Sequence, residues 1–218
     1  MAARRGSFSA KRGHDPVDII TDAVKKLEEV IEGSGCTDNI VVLMVNPDIV
    51  ACQYEWGAVM EAAFGGRTAE FTTTEPMSAK TRVSDMFGVP LEEPRLRAAA
   101  CAIVNAVSAF LCISRKHHSC KRKCHAQCRV DLAKALAGKT LYCHPKMQVL
   151  SREMGNFIMD SPERADVILL NGDGLISPEG TRFFRESSFR GKLLLAGPST
   201  AGVAALEKTG HFCPYGRG

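Results

Sequence analysis

The sequence predicts an α/β protein, and two regions predict it. The first runs from Ala165 to Leu206 and reads twice as strand, tight loop, helix. It gives Asp166–Leu170, the loop Asn171–Gly174 and a helix begun by Ser177-Pro178-Glu179, then Lys192–Ala196, the loop Gly197–Thr200 and a helix over Ala201–Lys208. Short apolar runs without alternation, each followed by a helix, are the pattern of strands buried on both faces of a parallel sheet. The second region lies upstream, where strand-like runs, a Gly65-Gly66 turn and two helical patterns mix without that regular order.

Composition sets outer bounds. A chain of 218 residues holds one large domain or two small ones, with ample core. Apolar content of 45% and charged content of 24% are ordinary for a globular protein, and the formal charge of +4 is mild. No apolar run approaches the roughly 18 residues that span a bilayer, so no membrane partner is expected. Met1–Gly13 carries four basic residues and no acid, and it lacks a hydrophobic signal core. Residues 1–14 therefore read as a disordered basic arm. Nine cysteines without a secretory signal predict reduced thiols in a cytoplasmic protein, with metal or reactive-thiol roles ahead of a disulfide framework. Cys36, Cys52, Cys101 and Cys112 sit among apolar residues and read as small core hydrophobes.

Taken in order, Asp15-Pro16 starts a helix in which Val17, Ile20, Val24, Leu27 and Ile31 keep helical spacing until Gly33 and Gly35 end it. Ile40–Val45 is a strand, and Asp48–Tyr54 is expected to be another. Trp56–Phe64, Gly65-Gly66 and the β-prone Thr68–Thr74 form a hairpin. Thr74–Val89 reads as loop with one helical turn. Glu93-Pro94 opens a strong helix whose Leu96, Ala100, Ile103, Val107 and Phe110 trace a buried face, with Asn105 a structural hydrogen-bonder beside it. After a basic Cys/His-rich segment, Val130–Ala137 is helical and stops at Gly138. Thr140–Cys143 is a strand, His144-Pro145 a turn, Met147–Met154 a helix and Phe157–Asp160 a short strand, followed by a helical turn at Ser161-Pro162-Glu163.

The cysteine cluster is the sharpest signal. Cys120, Cys124 and Cys128 stand at i, i+4 and i+8, and on a helix each step of four advances about 40°, so the thiols share a face. His117 and His125 add imidazoles, with His118 a further candidate. Thiolate with imidazole suits a transition metal such as zinc or copper(I), or an iron–sulfur cluster. The gaps are not those of a zinc knuckle, so a cluster or a loop that folds on metal fits better than one ion on a straight helix. Six basic residues lie between Arg115 and Arg129 with no acid among them, which predicts lowered thiol pKa values and attraction for an anion. The plainer alternative is a solvated basic face or a weak nucleic-acid patch.

Two loops are the other candidates. Asn171, Gly172, Asp173 and Gly174 form a tight turn that can show N–H groups to a ligand, and Gly197, Ser199 and Thr200 place N–H groups and hydroxyls at a helix start, an anion site or a plain cap. His144, ending the first strand of this half, is expected beside both, and Asp160 is a candidate ribose contact. The absence of G-x-G-x-x-G disfavours ordinary NAD binding, and no P-loop, H-E-x-x-H or G-x-S-x-G occurs.

Arg97–Val107 (RAAACAIVNAV), Ala165–Ile176 (ADVILLNGDGLI) and Leu194–Thr200 (LLAGPST) resemble the heavy-metal chelation family over about Asp38–Gly216. The resemblance implies a small α+β N-terminal domain, enolase-N-terminal-like, followed by a Rossmann-like parallel-sheet domain, with the ligand cleft between them. It divides the chain into 15–113, a Cys/His-rich segment 114–130, and 131–218. Cys143-His144-Pro145 departs from the family's Gly-His pair, and the Cys/His cluster is an addition. The expected function is binding of a transition or heavy metal, a metal chelate or an iron–sulfur cluster, in metal handling or metallocofactor assembly. The alternative is an enzyme that binds a nucleotide or S-adenosylmethionine-like anionic ligand at the C-terminal strand loops. The expected partners are thus a metal ion or small anionic ligand, with a homo-oligomer left open. Nucleic acid ranks last, because no aromatics interleave with Arg115–Arg129.

Overall fold

The computed structural model describes residues 18–218. Arm 1–14 and the Asp15-Pro16-Val17 helix start lie outside the described residues. Helix α1 (Ile19–Ile31) is capped by Asp18, whose Oδ1 accepts from the Ile20 N–H at 3.1 Å, and its buried face carries Ile20, Val24, Leu27 and Ile31 as the spacing requires. Strands β1 (Ile40–Val45), β2 (Ala58–Phe64), β3 (Arg67–Thr73) and β4 (Ala79–Arg82) form an antiparallel sheet in the order β3-β2-β1-β4. Between β2 and β3, Gly65 and Gly66 have φ of +56° and +77°, the two left-handed residues that a tight hairpin turn needs.

Helix α2 (Pro94–Phe110) is the centre of the molecule. Residues Arg97–Ser108 are buried on every side, because one flank packs on the first sheet and the other on the second half of the chain. The periodicity put Leu96 and Phe110 on the buried face, yet both are exposed; the stretch between them, rich in alanine, takes backbone on all sides instead. Arg97 joins three elements. Its guanidinium bonds both Asp18 oxygens, at 2.5 and 3.1 Å, as well as Leu91 O, Ile176 O and Thr181 Oγ1, so the buried charge is fully partnered.

Helix α3 (His125–Ala135) leads into a parallel sheet of β5 (Leu141–His144), β6 (Val167–Leu170), β7 (Leu193–Ala196) and β8 (Gly210–Phe212), in the order β5-β6-β7-β8. The connections hold α4 (Gln148–Glu153), α5 (Gly172–Ile176), α6 (Pro178–Arg185), α7 (Ser187–Arg190) and α8 (Ala201–Glu207). Ile168 and Leu170 point into a core shared with α1, α2 and the first sheet, while Val167 and Leu169 point into a second core with Leu132, Leu150, Cys52 and Tyr54. The central strands β6 and β7 are apolar throughout because both faces are covered, and alternation survives there only as a choice between two cores. The result is an α+β domain followed by a Rossmann-like domain. Among the described residues, no helix is long and apolar enough to cross a membrane.

Three local expectations fail. Asp48–Tyr54 is not a strand: Asn46 caps a turn there, and the segment leaves the first sheet to bury Cys52 and Tyr54 against the second. Phe157–Asp160 contributes only a bridge from Ile158 to Leu141, so the second strand of that unit is β6. β4 and β8 are additional strands in stretches where the sequence suggested loop or nothing regular.

Candidate functional site

Strand order β5-β6-β7-β8 runs without reversal, so this sheet lacks the switch point at which such folds usually bind ligands. The carboxyl ends of β5 and β6 instead face residues 53–56 and the end of β3, and a cleft of about 920 Å³ opens between the two domains. His144, Asn171, Asp173 and Ser177 line it from the parallel sheet, Gln53–Trp56 and Thr74 from the first domain, and Arg129 and Lys146–Glu153 from the side.

The loops read as ligand contacts are the fasteners of this cleft. Asn171 caps α5 by accepting from the Gly174 N–H and donates to Tyr54 O at 2.8 Å. Asp173 accepts from Thr73 Oγ1 at 2.7 Å and from the Thr74 N–H and hydroxyl, which pins the end of β3 to the cleft wall. Gly172 is packed so closely against Ser199 and Thr72 that a side chain has no room. Gly174 is tighter: a Cβ there would stand 2.1 Å from the His144 carbonyl oxygen. Gly174→Ala is therefore expected to cost about 3 kcal/mol or more, measured by denaturant unfolding.

Gly197, Ser199 and Thr200 are a correction. Ser199 and Thr200 are wholly buried, and the Ser199 hydroxyl accepts from the Thr72 N–H at 2.8 Å while Thr200 Oγ1 donates to Gly197 O. The helix start that sequence offered to an anion faces the first domain, and its Ser199 N–H donates to Glu55 Oε1 at 3.2 Å. Glu55 is what the sequence missed. It is buried at the cleft, and burial pushes its pKa up to about 8 against hydrogen bonds from Ser199 and Thr72. Beside it Trp56 is 78% exposed at the rim, and Arg152 and Lys146 have no ion-pair partner among the described residues.

His144 ends β5 as expected. Its Nε2 is 2.9 Å from Ser177 Oγ and its Nδ1 3.4 Å from Glu179 Oε2, and burial holds its pKa below the usual imidazole range. This line has the shape of a nucleophile–base–acid array, but the Ser177 hydroxyl is committed. It donates to Gly174 O at 2.8 Å and accepts from the Gly180 N–H at 2.9 Å, so it caps α6 and accepts from His144.

The Cys/His set divides. Among the described residues, no group of three or more His, Cys, Asp or Glu side chains is arranged to hold a metal ion. His117 is buried elsewhere, with Nε2 on Ser114 O at 2.8 Å, and His118 pairs with buried Glu70 at 3.1 Å; together they dock the segment on β3. The three thiols do not share one helix face, and α3 begins at His125, earlier than the expected Val130. Cys120 lies outside any helix or strand, Cys124 ends a 3-10 turn, and only His125 and Cys128 are in α3. The buried His125 Nε2 has no partner. The basic field does not win: burial raises the pKa of Cys120 and Cys128, leaving them as thiols. What sequence spacing could not show is that Cys52 and Cys213, from two other segments, lie within electrostatic reach of Cys120.

Fold and site together define a two-domain protein with a cleft between an antiparallel α+β unit and a Rossmann-like unit. No family model matches the chain, and no curated protein does. Among solved structures it is similar to the crystal structure of a protein of unknown function from the DUF364 family of Pyrococcus horikoshii. That likeness has 9% identity and a TM-score of 0.47, over 83% of this chain and 79% of that one.

Proposed function

We propose that the protein binds a small anionic molecule with a planar ring, of the nucleotide or S-adenosylmethionine type, in the cleft between its domains. The observation that carries this is the exposed Trp56 at the rim of a cleft of about 920 Å³, beside Arg152 and Lys146 and over the buried Glu55. Trp56 offers a stacking face, and Arg152 and Lys146 offer charge to an anionic group, while the buried Glu55 holds the loop at Ser199 that backs the cleft. Trp56 is the chain's one tryptophan, so its fluorescence reports cleft occupancy. Titration with nucleotides, S-adenosylmethionine and their neutral analogues is expected to quench it. By calorimetry, Trp56→Ala should weaken binding about tenfold, given roughly 1–3 kcal/mol for a stacked base. Arg152→Ala should weaken the anionic compounds more than the neutral ones. Absence of quenching and of binding heat across the set would sink the reading.

A second reading, metal handling or metallocofactor assembly, draws on one separate observation: cysteines from three chain segments, Cys52, Cys120 and Cys213, lie close enough to act on one another electrostatically, although no three such side chains among the described residues are arranged to hold an ion. Kinship with the heavy-metal chelation family belongs to this reading as a proposal. Anaerobic purification with elemental analysis tests it; substoichiometric iron, zinc and copper in folded protein would count against it.

A further inference from the structure

At the far end of β3 from the cleft, a second cavity of about 540 Å³ lies between the β2–β3 turn, the end of α2 and the segment 114–118. Arg67 opens β3 and Thr74 follows its end, so the two cavities stand roughly 20 Å apart along the strand. Its walls are fixed. The Phe110 ring stands edge-on to Phe64 at 5.2 Å, and it packs so closely on Gly65 that a Cβ there would meet it at 2.5 Å. Beyond α2 the chain turns at Cys112, whose φ is +57°, and the Ile113 N–H donates to Ser108 O at 2.9 Å. His117 O then accepts from the Glu70 N–H at 2.8 Å, which lays the segment along β3.

Three groups in this cavity lack partners. Arg67 and Arg115 are exposed, and among the described residues their side chains make no hydrogen bond or ion pair. No Asp or Glu side chain lines the cavity, and the buried Glu70 is taken by His118 and the Ser119 N–H. The third group is His117, 1% exposed, on the cavity wall. Its Nε2 lies 2.8 Å from Ser114 O, an atom that only accepts, so Nε2 carries the proton and Nδ1 is an acceptor. Burial keeps the ring neutral, with a pKa of about 4. Nδ1 is itself buried and has no partner among the described residues, a deficit that a donor on a ligand removes. The arginines ask for an anion, and Nδ1 asks for a donor on the same molecule. A fully ionised phosphoryl or sulfate group satisfies the first and sets lone pairs against the second; a neighbouring hydroxyl resolves the conflict. The volume falls in the range of about 300–1,000 Å³ usual for small-molecule sites, which leaves room for a sugar.

We propose that this cavity binds a small phosphorylated sugar or polyol, with its phosphate on Arg67 and Arg115 and a hydroxyl donating to His117 Nδ1. The site is separate from the cleft and independent of the ligand proposed there.

The test is a calorimetric titration of the full chain with ribose 5-phosphate, methyl phosphate and ribose at one ionic strength. Ribose 5-phosphate is expected to bind, methyl phosphate about tenfold more weakly and ribose not at all. Arg67→Ala and Arg115→Ala should each weaken both phosphates about tenfold. His117→Gln keeps a donor for Ser114 O and removes the acceptor. It should bring ribose 5-phosphate down about tenfold and leave methyl phosphate unchanged. Arg152→Ala should bind like the parent, and Trp56 fluorescence should not respond, since both belong to the cleft. If ribose 5-phosphate fails to bind, or binds no better than methyl phosphate, this inference falls and the cleft reading stands untouched. If Arg152→Ala abolishes binding while Arg115→Ala retains it, the phosphate sits in the cleft and the inference falls as well. Should His117→Gln fail to fold, Arg67→Ala and Arg115→Ala, both surface changes, decide alone: affinity equal to the parent's overturns the site.

Discussion

Glu55→Gln is expected to stabilise the protein above neutral pH and to change little near pH 4.5. The folded carboxyl is held up at about 8 by burial, with the nearby Glu70 carboxylate adding to the shift, against an ordinary value of 4.5. Below pH 4.5 Glu55 is protonated in both folded and unfolded chains, so nothing is lost there. Between 4.5 and 8 the unfolded chain ionises and the folded one does not. Each pH unit then costs the native state about 1.4 kcal/mol, up to roughly 4 kcal/mol by pH 8. Glutamine keeps an acceptor for the Ser199 N–H and puts an amide where the acid O–H stands, so the variant escapes this loss. His117 works in the opposite sense. Burial holds it at about 4, so the unfolded chain takes up a proton first as pH falls through 6.5, and stability drops on the acid side. Urea unfolding at pH 5, 6.5 and 8 should show parent stability falling toward pH 8 and the variant flat above 6.5. Equal slopes would mean that Glu55 is ionised in the folded chain.

How much of this was legible in sequence depended on whether the signal was local. The β2–β3 hairpin, α2 and the two strand–loop–helix units follow from glycines, caps and apolar runs that lie side by side in the chain. Ser177-Pro178 was correctly placed as a helix start, whereas Asn171–Gly174, read as a tight loop, is the cap and first turn of α5. The failures are non-local. The hydroxyls and N–H groups of Gly197–Thr200 looked free because the groups that take them, Glu55 and Thr72, lie well over a hundred residues away. Cys52 read as a core hydrophobe, which it is by burial, but groups far away in the chain, Cys120 and Cys213, act on its thiol along with the nearby Glu55. Asp48–Tyr54 has strand-like residues, yet its side chains find more to bury against α3 and the second sheet than beside β1. A lone tryptophan next to a glutamate was the available clue to the cleft, and periodicity absorbed it into the hairpin.

Asn105 carries the last prediction, and it bears on how the two domains are held. Its Nδ2 donates among Glu70 O, Pro198 O and Ser199 O at 3.1, 3.3 and 2.9 Å, and its Oδ1 accepts from the Gly202 N–H at 2.8 Å. One fully buried amide thus ties α2 to β3 and to the start of α8. Asn105→Ala strips these backbone groups of their partners where no solvent replaces them, at about 1–3 kcal/mol for each group left unmade. It also leaves a small void. A loss of about 4 kcal/mol is expected, a large part of the roughly 5–15 kcal/mol that holds a typical domain. Ser199 sits in this network and also holds Glu55, so the damage should reach the cleft: any surviving folded fraction should bind ligand more weakly. Cys101→Ala is the control, one turn earlier on α2 and equally buried, where only a small thiol is lost. Urea midpoints decide between them. If Asn105→Ala is no less stable than Cys101→Ala, apolar packing around α2, and not this amide, joins the domains.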